Sequence, residues 1–90
     1  MFPRIVSVRY IQGYKLALAF SNGVKGEVDF KSKIVGRGGV FKALEEVGFF
    51  MQVRVDSEVG TIVWPNDVDF DPDVLYSEIT GIPIKIPQAI

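Results

Sequence analysis

Four aspartates stand at every second position, Asp67, Asp69, Asp71 and Asp73, with Glu78 beyond them. Hard divalent cations take carboxylate oxygens, and an alternating acidic run is the pattern of a calcium loop. Laid on such a loop, Asp67 takes position one, Asp69 three, Asp71 five and Glu78 twelve. The match breaks at position six, where the loop turns sharply on glycine: Pro72 stands there, its ring fixing φ near about −65°. Asp71, Pro72 and Asp73 also form a helix-start signal, with Asp71 as N-cap, Pro72 at N1 and an acid in the first turn. They are expected to cap a helix, leaving Asp67, Asp69, Asp71 and Glu78 as metal candidates by spacing alone. No cofactor is expected.

Gly36-Arg37-Gly38-Gly39, ahead of a helical pattern, offers free backbone amides beside a cation, the makings of a phosphate nest. It lacks the Lys-Ser/Thr ending of a nucleotide loop and reads equally as a flexible connector. Tyr10 and Tyr14, beside Arg9 and Lys15, could stack single-stranded bases, or could continue a core-facing alternation. Trp64-Pro65-Asn66 joins a tryptophan to a turn; the indole could anchor a partner or close the core. Paired carboxylates can do acid–base work. The chain has neither cysteine nor histidine, so thiolate nucleophiles, imidazole bases and the usual zinc ligands are excluded, and no enzyme is expected. Ile82, Ile84 and Ile86 alternate with Pro83 and Pro87, which bar this run from a central strand. Residues 82–90 read as an extended apolar tail, laid on its own core or on a second subunit.

The elements that must position these residues follow from the two periods. In residues 4–10, Val6, Val8 and Tyr10 alternate with Ser7 and Arg9; after Gln12-Gly13, Tyr14, Leu16, Leu18 and Phe20 share one face. Asn22-Gly23 suits a type I′ hairpin turn, and Val24, Val28 and Phe30 make a third strand. After a glycine-rich break at 31–39, Val40, Phe41, Leu44 and Val47 fall at helical spacing with Gly48 as the stop. Phe49, Met51, Val53 and Val55 predict a strand, residues 56–60 a turn and 61–64 a return strand. A second helix runs from Asp71 to Gly81, with Val74, Leu75 and Ile79 on its apolar face. The expected fold is one α+β domain over residues 1–90: a three-stranded antiparallel meander, a helix, two further antiparallel strands, a C-terminal helix and the extended tail.

Charge divides along the chain. Residues 1–44 hold eight cations against two carboxylates, residues 45–90 two against nine, behind a formal net charge of −1. The halves either face one another or present a basic surface for nucleic acid and an acidic one for a basic partner. Met1-Phe2-Pro3-Arg4 leads into no long apolar run and no segment approaches a membrane span, so a cytoplasmic location and no membrane contact are expected.

In this order the chain resembles the bacterial domain-of-unknown-function 2442 family. The resemblance rests on the tyrosine-led second strand into Phe20-Ser21-Asn22-Gly23, on Gly26-Glu27-Val28-Asp29-Phe30, on Val40-Phe41-Lys42-Ala43-Leu44 before Phe50, and on Ile62-Val63-Trp64-Pro65-Asn66 leading to Asp69, Pro72 and Leu75-Tyr76. It departs at Asp67, where that family leads one to expect glycine. The resemblance implies a small α+β domain similar to the N-terminal unit of longer helix-turn-helix proteins, and kinship with chains encoded beside a small partner of a suspected toxin–antitoxin pair. No helix-turn-helix is expected within these residues, so no DNA-reading role carries over.

Three functional readings stand. One is a non-enzymatic binding module, an antitoxin-like or regulatory partner of a small bacterial protein, or a homodimer, touching its partner through Trp64, Asn66, Asp69, Ile82, Ile84 and Ile86. Another is a nucleic-acid-binding module working through Arg4, Arg9 and Lys15. The third is a purely structural domain.

Overall fold

Alternation in the first third produces β1 (Ile5–Gln12), β2 (Lys15–Phe20) and β3 (Lys25–Asp29), an antiparallel meander in the order β1-β2-β3 in the computed structural model, which describes residues 3–82. Leu16, Leu18 and Phe20 of β2 and Val28 of β3 are buried, while Lys25, Glu27 and Asp29 stay exposed. β1 departs from strict alternation. Ile5 pairs with Phe20 and Ser7 with Ala19, so Val6 is an unpaired bulge residue, 56% exposed, rather than the inward residue its spacing predicts. The extra residue puts Ile5 into the core and keeps Val8 and Tyr10 packed against it.

The turn after β2 is not type I′, which needs positive φ at both central residues. Gly23 has φ 89°, but Asn22 is not in that region. Phe20 accepts from the Gly23 amide at 3.0 Å and donates its own to Val24 at 2.8 Å: a three-residue loop closing on a left-handed residue, the G1-bulge form. The same loop occurs again. Trp64 accepts from the Asp67 amide at 2.9 Å and donates to Val68 at 2.9 Å, and Asp67, at φ 67°, is the one non-glycine with positive φ among the described residues. The position where glycine is expected is thus a left-handed slot filled by aspartate, one of the few side chains that tolerate it. Asp67→Gly is expected to raise stability by about 0.5 kcal/mol, the relief of αL strain less glycine's extra freedom in the unfolded chain. A urea midpoint no higher than that of the parent chain would contradict this.

The segment expected to be one helix is built differently. Lys31–Ile34 makes a short α1, Gly39–Glu45 a 3-10 helix and Val47–Phe50 a short α2. Phe41 packs on the core and Leu44 is buried; three residues apart, they share a face when i and i+3 eclipse, as in a 3-10 helix. Glu46 turns extended, at ψ 115°, and restarts the chain as α2, so Gly48 lies inside α2 rather than after a helix end. Phe49 and Phe50 both pack inward, which a strand cannot do with neighbouring residues, and pairing is delayed to β4 (Arg54–Asp56). β4 pairs antiparallel with β5 (Thr61–Val63) across a turn in which Asp56 accepts from Glu58 and Val59. α3 (Pro72–Thr80) starts and stops as its signals require: the Asp71 carboxylate accepts from the Asp73 amide at 2.9 Å, and Gly81 closes the helix at φ 76°.

The core lies between the meander and everything that follows it. At its centre Trp64 touches the rings of Phe30, Phe50 and Phe70 with centroids 5.5–6.0 Å apart. Tyr10 and Tyr14 set their rings near edge-on to Phe50.

Candidate functional site

The alternating aspartates are dispersed by the elements that carry them. Asp67 occupies the left-handed loop position; Asp69, exposed, forms an isolated bridge with Val63; Asp71 and Asp73 cap α3. Glu78 pairs with Lys33 at 2.6 Å, tying α3 to α1. Among the described residues no three carboxylates gather in a way that could hold a metal ion. In the glycine-rich connector, the Gly36 amide donates to the Glu45 carboxylate at 3.2 Å and Arg37 turns back onto the Ser32 carbonyl. The chain's own acid meets the amide that a phosphate would need.

The aromatic candidates belong to the interior. Trp64 is fully buried and its indole N–H donates to the Phe50 carbonyl at 2.9 Å, so it holds the floor beneath the 65–69 loop and offers a partner no surface. The Tyr14 hydroxyl donates to the Glu45 carbonyl and that of Tyr10 to Gly13. Of the three cations proposed to meet nucleic acid, Arg4 grips the carbonyls of Ser57 and Glu58 in the β4–β5 turn. Arg9 lies exposed on the outer face of the meander, and Lys15 stands directly across from Asp29. Arg9 and Lys15 thus share the outer face of the meander, while Arg4 is held at the β4–β5 turn.

What does converge is around Asn66. The side chain is bonded at both ends: its oxygen accepts from Val68 at 3.4 Å, and its amide donates 3.1 Å to the carbonyl of Val40. That second bond spans 26 residues and fastens the 3-10 helix, with Val40 62% exposed, to a loop whose Pro65, Asp67 and Asp69 are all exposed. Asn22 does the equivalent in the first loop, accepting from Val24 and donating 3.0 Å to the Tyr76 hydroxyl on α3. Spacing picks out Asn66 and Asp69; it does not pick out Val40, assigned by its period to a buried helix face. The recurrence of aromatic-x-Asn-x-Val at residues 20–24 and 64–68 is the sequence signal that the two loops share a build.

Ile82 is 49% exposed and folded back, its carbonyl accepting from the Ser77 hydroxyl at 2.6 Å. Ile84 and Ile86 lie outside the described residues.

A family model described as a protein of unknown function (DUF2442) matches residues 5–81. No curated protein and no solved structure matches the chain.

Proposed function

The chain belongs to the family described as protein of unknown function DUF2442, and from that footing we propose that it is a non-enzymatic binding module: an antitoxin-like or regulatory partner of a small basic protein in the bacterial cytoplasm. One observation carries the reading. The Asn66 amide holds the Val40 carbonyl, fastening a segment with an exposed valine to a loop that carries the exposed acids Asp67 and Asp69 and is floored by buried Trp64. An exposed apolar residue tethered to an acidic loop suits a partner that offers a cation beside an apolar side chain. The acids steer the encounter and the valine loses water on contact. The Asp67 and Val68 amides and the Val68 carbonyl are already paired, so less ordering remains to oppose binding.

Affinity capture with the wild-type chain and with a Val40→Asp, Asp67→Asn, Asp69→Lys variant tests this, asparagine removing the charge while tolerating the left-handed position. A basic protein is expected to be retained in stoichiometric amount by the first and lost by the second, with both chains equally folded by circular dichroism. Equal retention by both, or retention of nucleic acid in place of protein, overturns the reading.

A further inference from the structure

The outer face of the meander is a second surface, independent of the loop. Register sets its side chains in rows: Ser7, Ala19 and Lys25 side by side, then Arg9, Ala17 and Glu27, then Lys15 beside Asp29. The central strand contributes only alanine to the first two rows. The result is a shallow trough of about 570 Å³, floored by Ala17 and Ala19, with Ser7 and Arg9 on one bank and Lys25 and Glu27 on the other. Arg9 and Glu27 stand two strand spacings apart, roughly 10 Å between backbones. Neither they nor Lys25 enter an ion pair; Lys33 with Glu78 is the one pair among the described residues. An apolar floor between unpaired charges of opposite sign is complementary to itself.

We propose that this face is a self-association surface, occupied by a second copy of the chain stacked about a two-fold axis parallel to β2. Such an axis carries β1 of one copy over β3 of the other. Arg9 then meets Glu27 of the partner subunit, and the same contact repeats on the far side, as an isologous interface requires. Ala17 and Ala19 meet their own counterparts, and their small size lets the sheets close inside the usual spacing of about 10 Å. Lys15 faces the partner's Lys15, but each lies across from an Asp29 in its own sheet, which offsets the repulsion. A phosphate backbone fits this face less well, because Glu27 and Asp29 are interspersed among its cations.

Sedimentation of the purified chain from micromolar to millimolar concentration tests the proposal without any other partner, so its outcome is separate from that of the loop. A dimer that weakens with added salt is expected. Ala17→Arg, on an exposed face with room for the side chain, should give a folded monomer. Arg9→Glu and Glu27→Arg should each weaken the dimer roughly ten- to a hundred-fold, since each sets like charges together on both sides of the axis. Combined, they restore the opposite pairing with its direction reversed and should recover the dimer. A wild-type chain that stays monomeric overturns the proposal. So does a dimer indifferent to Ala17→Arg, a double variant no better than the singles, or a monomer that instead retains nucleic acid through Ala17-dependent contacts.

Discussion

Trp64→Ala is expected to remove most of the stability of the domain. The side chain is fully buried, packs on three aromatic rings, and fills the volume between the meander and the second half of the chain. Truncating a buried tryptophan costs about 3–5 kcal/mol, and leaving the Phe50 carbonyl without its donor adds about 1–3 kcal/mol. Domains of this length hold roughly 5–13 kcal/mol in all. The variant should therefore be unfolded, or within a few kcal/mol of it, at room temperature. Trp64→Phe keeps a ring and loses the N–H, and should cost about 1–3 kcal/mol. Because Trp64 is the chain's one tryptophan, unfolding in urea has to be followed by far-ultraviolet circular dichroism rather than by fluorescence. A Trp64→Ala chain that loses less than about 1 kcal/mol would mean that the indole is not at the centre of the core.

Gly26→Val should be nearly as damaging for a different reason. Gly26 faces the core in the middle of β3, without the positive φ of the turn glycines, so its need is for space rather than for a special backbone shape. A Cβ built on it would stand 2.5 Å from Cγ2 of Ile79, closer than atoms approach without movement. Ile79 is β-branched and stiff about χ1, and cannot simply swing aside. Either α3 lifts from the sheet or β3 bends. Gly26→Ala should cost about 1–3 kcal/mol and valine more, since overpacking rises with added volume. The lifted helix would also strain the bond from Asn22 to the Tyr76 hydroxyl. Ile79→Ala empties the space that the new Cβ invades. The double variant Gly26→Ala, Ile79→Ala should then be more stable than the two single losses predict when added, and that positive coupling reports the contact directly.

The parts of this fold that could be read from the chain are those where local chemistry decides. Leu16, Leu18 and Phe20 alternate on a strand buried on one face, and the two-residue period survives because nothing interrupts β2. Asp71, Pro72 and Gly81 mark α3 because orphan amides and a left-handed stop are needs of the helix itself. Elsewhere the deciding partner is far along the chain. Val6 is pushed outward by a bulge that brings Ile5 under the Gly60 carbonyl, 55 residues away. Phe49 and Phe50 abandon a strand period because Phe50 must meet Tyr10, Tyr14 and Trp64 at once. Both loops resisted reading by turn type, although Asn22-Gly23 looks like a type I′ pair and Asp67 looks out of place; each closes on a single left-handed residue. The candidate site was half legible. Asn66 and Asp69 stand out as polar residues after a tryptophan. Val40 was hidden, because only the long-range bond from Asn66 ties it to the loop.

Hydrogen exchange, followed peptide by peptide in the free chain and in the complex recovered by capture, tests most directly whether this is a binding module that works through the Asn66 loop. The account predicts added protection over residues 39–42 and 65–69, with the remainder of the described chain unchanged. Protection confined to other segments, or none in a complex of demonstrated stoichiometry, would contradict it.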